Sequence, residues 1–364
     1  MNEDLQAQFD IKYMQMAIAL SRRGVGLSAP NPSVGVIIVK NGIVLGRGVT
    51  QKGGRPHAER VALDLAGGDA QNSTIYVTLE PCAKRSQADA ISCTDTIINA
   101  GVSRVVIGAC DPSPLAAGQG ATRLQAHGIE VVSGVEYEAA KWVNLGHILR
   151  VSKNRPLVTL KLAQTKDGFA GTIDHKPFAI TGEETRSYVH MMRARSDAIA
   201  VGISTILFDD PYLDVRLQGL EDRSPVRVVF DSDLQMPLSS RLVKTARALP
   251  LWIIADLDAS ANKEQNLVAA GAEVMRVKKH DLKAALGLLA DRGVSRLMVE
   301  GGPILAEAFA KNNLIDELVL FTAPWNAEEG LKAIGASLRH LMSNCNFDSK
   351  PVNKDQLQHY KISY

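Results

Sequence analysis

Residues 57–82 read HAERVALDLAGGDAQNSTIYVTLEPC. HAERVALDLAG reads as a helix that begins near His57, and TIYVTLE (74–80) as a buried strand, which Pro81-Cys82 interrupts. Downstream, a second helix is expected near Cys93 (CTDTIINAG). A strand over RVVIGA (104–109) ends at Asp111-Pro112, and another short strand is EVVSG. Upstream, IKYMQMAIALSRR (11–23) places Met14, Ala17, Ile18 and Ala19 at helical spacing, and Gly24 ends the run. The loop Ala29-Pro30-Asn31-Pro32-Ser33 follows. VGVIIVK and GIVLGRGV then flank Asn41-Gly42, the strongest short hairpin signal. Strands alternating with helices in this way predict an α/β layered sheet.

The alternation restarts after a basic, proline-containing stretch near 150–156 (RVSKNRP), where a domain boundary is expected: residues 1–152 and 153–364. The second half carries LVTLKLA, a helix around 182–195, DAIAVGI, PVRVVFD, LWIIAD, a helix at 281–292, RLMVEGG, a helix at 303–312 and ELVLFTA. The last twenty residues are polar and fit either a loose tail or a closing strand (HYKIS). A length of 364 residues suits two domains. Hydrophobic residues at 46% and charged residues at 22% are ordinary for a soluble protein. A net charge of +2 gives no electrostatic case for nucleic acid or a membrane surface. No apolar run approaches the ~18 residues of a membrane span. The acidic N-terminus MNEDLQAQFD is unlike a secretory signal. Four cysteines do not form a disulfide framework, so a cytoplasmic location is expected.

His57, Cys82 and Cys93 offer three ligands for zinc and leave one position open, the arrangement of a catalytic site. Zinc lowers the pKa of water in that position, which makes hydroxide available near neutral pH. Glu59, two residues after the histidine, is the candidate catalytic residue that takes the proton and hands it to the leaving amine. Histidine-x-glutamate followed by proline-cysteine and a later cysteine is the pattern of zinc deaminases of cytosine and adenine. Those sites usually close with C-x-x-C, whereas ten residues separate Cys82 from Cys93. Cys110 and Cys345 read as small buried hydrophobes.

Pro30-Asn31-Pro32-x-Val34-Gly35, Pro56-His57-Ala58-Glu59, Thr78-Leu79-Glu80-Pro81-Cys82 and Asp111-Pro112 with Ala117-Gly118 resemble the bifunctional deaminase/reductase family of riboflavin biosynthesis. In the second half the resemblance continues through Leu160-Lys161-Leu162-Ala163, Asp167-Gly168, Asp209-Asp210-Pro211-x-Leu213-x-Val215-Arg216 and Val299-Glu300-Gly301-Gly302-Pro303. It covers about residues 10 to 325. The resemblance implies a cytidine-deaminase-like three-layer domain followed by a dihydrofolate-reductase-like domain. It implies zinc-dependent deamination of a diaminopyrimidinone bearing a phosphoribosylamino chain, then NADPH reduction of the ribosyl group to ribityl. Asn31 and Asp111 would contact the first substrate; Arg193, Leu213, Arg216 and Glu300 would contact the second. Ala163, Thr205, Asp209 and Ser232 fall at NADPH positions, as do Gly302, Pro303, Ile304, Leu305, Ala306, Glu307 and Ala308. Gly301-Gly302 between a strand and a helix is also a place where backbone N–H groups can hold a phosphate, with a plain turn as the competing reading. Paired arginines suit a ribose phosphate. Asp167 is a candidate for orienting the sugar, with a turn residue as the competing reading. The family commonly forms homodimers.

The chain departs from that pattern in places. The segment between the cysteines is two residues longer than usual, and Lys84 replaces a histidine; Lys84 or Arg85 could meet the substrate phosphate. Thr50 stands where a substrate-contacting histidine is common, and Ser113 where an asparagine is. Ala179 replaces an aromatic residue by the cofactor, Pro177 a small polar one, and Trp325–Gly330 a glycine-containing loop. Competing readings are a reductase with an impaired deaminase domain, a nucleic-acid deaminase, and a zinc-stabilised scaffold. Low aromatic content (5%) and near-neutral charge argue against nucleic acid.

Overall fold

Asn41 (φ 51°) and Gly42 (φ 78°) both take the left-handed backbone that a two-residue hairpin turn demands. The computed structural model describes residues 3–84, 91–172 and 179–362, so Arg85 and Pro177 lie outside the described residues. The chain divides into two units, Met1–Arg155 and Pro156–Tyr364.

The first unit runs α1 (Glu3–Gly24), β1 (Gly35–Lys40), β2 (Ile43–Val49), α2 (Ala58–Ala66) and β3 (Thr74–Leu79). It continues with α3 (Cys93–Asn99), β4 (Arg104–Ala109), α4 (Gln119–Ala126), β5 (Glu130–Ser133) and α5 (Tyr137–Lys153). The basic stretch read as a boundary is thus the last turn of α5, closed by Asn154 in left-handed conformation (φ 47°). The sheet order is β2-β1-β3-β4-β5. β1 is antiparallel to both β2 and β3, while β3, β4 and β5 are parallel. Helices α1 and α5 cover one face and α2, α3 and α4 the other, which makes three layers.

This topology fixes the position of the site. Because β1 opposes β3, the segment before β1, the segment after β2 and the segments after β3 and β4 all emerge at one edge of the sheet. Asn31, His57, Cys82 and Asp111 lie on those segments. Gly35 N–H donates to Thr78 Oγ1 (3.1 Å) and ties two of them together.

The second unit begins with β6 (Leu157–Gln164), β7 (Phe169–Gly171), α6 (Glu183–Arg193), β8 (Ala198–Gly202), α7 (Ile203–Asp209) and β9 (Val226–Phe230). Next come α8 (Arg241–Lys244), β10 (Leu251–Asp256), α9 (Ala261–Ala269), β11 (Glu273–Val277), α10 (Leu282–Asp291) and β12 (Arg296–Val299). It ends with α11 (Pro303–Lys311), β13 (Glu317–Thr322), β14 (Leu331–Lys332), α12 (Ala336–Ser343), β15 (Phe347–Val352) and β16 (Asp355–Lys361). Nine strands form one sheet in the order β11-β10-β9-β8-β12-β6-β13-β16-β15. The strands from β11 to β13 are parallel, and β16 and β15 close it antiparallel. His359, Tyr360 and Lys361 of HYKIS therefore belong to a closing strand, β16. Along β8 the side chains alternate between two apolar cores: Ala198 and Ala200 join the one around Leu286 and Phe309, and Ile199 and Val201 the one around Val229 and Ile253. No helix among the described residues is long and apolar enough to cross a membrane.

The close seat of α2 on the sheet requires glycine at Gly48. A Cβ there would stand 2.1 Å from the Ala58 carbonyl oxygen, which is backbone and cannot rotate away. Gly48→Ala is expected to lift α2, lower stability by about 1–3 kcal/mol and reduce bound zinc. Thermal melts and metal analysis check this, and an unchanged Tm would count against it.

Candidate functional site

His57 is the N-cap of α2, Cys82 follows β3, and Cys93 is the first residue of α3. Ser92 caps α3 by accepting from Asp95 N–H (3.1 Å), so the helix starts where the thiol is needed. Two helix N-termini, each a partial positive charge, favour the thiolate forms. His57 Nδ1 lies 3.3 Å from Cys93 Sγ and 4.0 Å from Cys82 Sγ. All three ligand atoms lie within 4.8 Å of one another. Zinc bonds of these types at tetrahedral angles separate the ligand atoms by about 3.5–3.8 Å, so the donor set fits. The Cys82 thiol is lowered to about 4, first by its hydrogen bond with Cys93, against burial and with help from His57.

Glu59 is buried in the first turn of α2, and its Oε2 has no partner among the described residues. Burial pushes its pKa up; the His57 ring opposes this. A buried carboxyl with a vacant oxygen, next to a ligand cluster, is equipped to hold and release a proton.

Neighbouring segments are fixed by side chains that accept backbone hydrogens. Glu80 accepts from Gly118 N–H (2.9 Å) and Ala121 N–H (3.2 Å), which anchors the start of α4 at the end of β3. Arg123 of α4 donates to the Ala83 carbonyl and to the Asp95 carboxylate, gripping the chain beyond each cysteine. Asn31 Nδ2 donates to the Gly54 carbonyl (2.9 Å). Asp111 is buried, accepts from Ser113 N–H (2.9 Å) and pairs with His147 Nε2 of α5 (2.9 Å). Thr50 is committed to the backbone: its Oγ1 accepts from Val34 N–H (2.9 Å). Lys84 is exposed. Glu80, Arg123 and His147 carried no separate signal in the sequence beyond the TLEPC string.

In the second unit a cleft of about 950 Å³ opens along the ends of the parallel strands. Thr205, Asp209, Ser232, Gly302, Pro303, Ile304, Leu305 and Ala308 line it. Three residues expected at the cofactor do not. Ala163 packs against Val189 and Phe321 with its neighbours in another core, and Ala306 is fully buried. Glu307 accepts from Ser337 N–H (2.7 Å) and Leu338 N–H (3.2 Å) as the cap of α12. The reason is helical period: α11 turns residues 304, 305 and 308 to the cleft and 306 and 307 away from it. Gly302 caps α11 without a side chain, Pro303 is at its start, and Ile304 is 84% exposed on the cleft wall. Open first-turn amides and an uncovered apolar residue suit a dinucleotide's phosphates and rings.

Arg193 does not offer its guanidinium to solvent. Nε and Nη2 donate to the two oxygens of Glu300 (2.7 and 3.0 Å), and Nη1 donates to the Asp214 carbonyl (3.0 Å). Burial works to raise the pKa of Glu300, but Arg193, with Lys161 and His190, outweighs it and the net shift is down. Lys161 of β6, missed in the sequence, is close enough for Glu300 to oppose its burial-driven fall in pKa. Leu213 is buried with a left-handed backbone (φ 54°), a cost of about 1–3 kcal/mol that the Arg193 bond to the next residue helps sustain. Arg216 is exposed and pairs with Asp214 (3.2 Å). Asp167 takes the turn role: it accepts from Thr165 Oγ1 (2.5 Å), Ala327 N–H (3.1 Å) and Glu328 N–H (2.9 Å). Trp325 Nε1–H donates to the Ile180 carbonyl (3.0 Å), which brings an indole beside the Ala179 position.

Residues 7–109 match the family model described as the cytidine and deoxycytidylate deaminase zinc-binding region, and residues 156–346 that of the RibD C-terminal domain. The riboflavin biosynthesis protein RibD of Aquifex aeolicus is 37% identical over 345 residues, 95% of each chain. That of Escherichia coli is 34% identical, over 91% of this chain and 90% of that one. Among solved structures, Acinetobacter baumannii RibD superposes with a TM-score of 0.87 at 31% identity, covering 98% of this chain and 100% of that chain. A Thermotoga maritima diaminohydroxyphosphoribosylaminopyrimidine deaminase/5-amino-6-(5-phosphoribosylamino)uracil reductase gives 0.86 at 28% identity, with the same coverage.

Cys93→Ser should drop zinc, measured by mass spectrometry on the dialysed protein, well below one ion per chain; full occupancy would mean that another group is the third ligand. Arg193→Met strands a buried carboxylate and should cost about 3–5 kcal/mol in denaturant melts at neutral pH. Because the folded pKa of Glu300 lies below its unfolded value, the pair's contribution is complete at neutral pH. It fades as pH falls through the folded pKa, so parent and variant should converge in acid.

Proposed function

As the chain belongs to the family of bifunctional deaminase/reductases of riboflavin biosynthesis, we propose that its two units carry out the two consecutive reactions, deamination in the first and reduction in the second. The substrate of the first is a diaminopyrimidinone carrying a phosphoribosylamino chain, the compound class on which the Thermotoga deaminase/reductase acts. The observation that carries this is the joint presence of His57, Cys82 and Cys93 with the unpartnered, buried Oε2 of Glu59.

His57, Cys82 and Cys93 would hold zinc, which when bound makes water acidic enough to act as a nucleophile near neutral pH. Glu59 accepts a proton at Oε2 as water adds to the amino-bearing ring carbon, then delivers it to the nitrogen. The carbon–nitrogen bond breaks and ammonia leaves. Asn31 and Asp111, each tied to its surroundings by short hydrogen bonds, hold the pyrimidine. Exposed Lys84 and its neighbour in sequence Arg85 are suited to the substrate phosphate.

In the second unit Thr205, Asp209, Ser232 and the Gly302–Leu305 turn would hold NADPH, which supplies the hydride. Reduction of the ribosyl carbon breaks its bond to the ring oxygen, and that oxygen takes a proton. Lys161, half-buried beside Glu300 and with a depressed pKa, is suited to give it. Glu300, oriented by the bidentate bond of Arg193 to both its oxygens, holds the sugar hydroxyls, and exposed Arg216 meets the phosphate.

The test feeds the pyrimidine intermediate to the purified chain with and without NADPH and follows ammonia release and loss of NADPH absorbance. Glu59→Gln should keep its zinc and lose deamination by at least about 100-fold while still reducing the deaminated intermediate. Equal ammonia release by variant and parent would sink the proton-carrier role. Reduction without any zinc-dependent deamination would leave the impaired-deaminase reading.

A further inference from the structure

The strand order of the second unit decides which way a dinucleotide must lie in the cleft. Glu300 follows β12, Lys161 is on β6, and Gly302 opens α11 just beyond β12. A nicotinamide that delivers hydride beside Glu300, with its phosphates at the start of α11, leaves the adenosine half to extend over β8 and β9 toward β10 and β11. At about 4.8 Å per strand, β9 lies roughly 10 Å from β12 and β11 roughly 19 Å. The cleft wall at that far end includes Ser232, Asp233, Asp256, Lys279 and His280.

Lys279 Nζ lies 2.9 Å from Asp233 Oδ1, with side chains 44% and 54% exposed. The backbone beneath Lys279 is constrained. His280 takes a left-handed φ of 64°, and Asp281 caps α10 by accepting from Ala284 N–H (2.9 Å). An ammonium has three donors, and Asp233 takes one of them. Without Lys279, the cleft wall here would carry the carboxylates of Asp233 and Asp256, with Lys263, which is not part of that wall, donating to the Asp233 backbone carbonyl (3.2 Å). An acidic residue at a ribose favours a free 2′-hydroxyl and repels a phosphate in its place.

We propose that Lys279 recognises the 2′-phosphate on the adenosine ribose, shares its ammonium between that phosphate and Asp233, and so sets the preference for NADPH over NADH. The inference rests on the reading of this cleft as the dinucleotide site.

Binding of two fragments to the full-length protein, 2′,5′-ADP and 5′-AMP, which differ only in the 2′-phosphate, is measured by calorimetry for the parent, Lys279→Ala and Asp233→Asn. The parent should bind the 2′-phosphorylated fragment at least about tenfold more tightly, and Lys279→Ala should bring the two within about twofold at unchanged 5′-AMP affinity. Asp233→Asn frees the ammonium and should keep or widen the gap. An ion pair that serves only to hold the loop would instead make both variants lose affinity for both fragments alike, and that result overturns the proposal. So does a Lys279→Ala protein that keeps the tenfold preference, which leaves the cleft reading intact. A parent that binds neither fragment nor NADPH overturns the cleft reading and the proposal with it.

Discussion

A carbonyl oxygen of α2, that of Ala58, lies where a Cβ on Gly48 would come within 2.1 Å, and Gly46 meets Ala62 in the same way at 2.2 Å. Helix and strand therefore touch backbone to backbone. That contact sets how far the first turn of α2 stands from the sheet, and with it the places of His57 and Glu59. The two other ligands come from the end of β3 and the start of α3, so the metal centre is the meeting point of three elements held by one close approach. Glu80 and Arg123 then lock the surrounding loops to it by accepting from and donating to the backbone. The buried apolar residues of the sheet make this edge rigid, and the polar side chains at the edge give it its chemistry.

The second unit balances charge where the first concentrates ligands. Glu300 and Arg193 are largely buried with half-buried Lys161 near them, two positive partners for one carboxylate. A buried pair gains little net stability over an apolar substitute. Its value lies in orientation, since a bidentate guanidinium leaves the carboxylate one geometry. The same arginine holds the Asp214 carbonyl next to the left-handed Leu213, so that loop and the carboxylate are tied to one guanidinium.

Much of this was legible in the sequence. Asn41-Gly42 announced its hairpin because only that turn chemistry suits two left-handed residues. The histidine, glutamate and two cysteines stood out because their residue types have few joint uses. What was not legible depends on pairings across long stretches of chain. The partner of Arg193 is 107 residues away, so its sequence neighbourhood suggested a solvated helix face, and only the family resemblance marked it as a substrate contact. His147 reads as a lone helical histidine until α5 is laid over the end of β4. Ala306 and Glu307 fall in a continuous run that reads as cofactor contact, which a helix cannot present on one side. The β15–β16 hairpin carries little signal because β15 is almost wholly exposed and lacks apolar alternation.

Arg123 grips the Ala83 carbonyl on one side of the segment between the cysteines and Asp95 on the other. Anchored at both ends, that segment can change its length without disturbing either ligand. Lengthening a loop costs little, about 0.6 kcal/mol for each doubling. A reach of ten residues between Cys82 and Cys93 is thus a tolerated variation. The places of the two cysteines are therefore fixed by their anchors, independently of the number of residues between them.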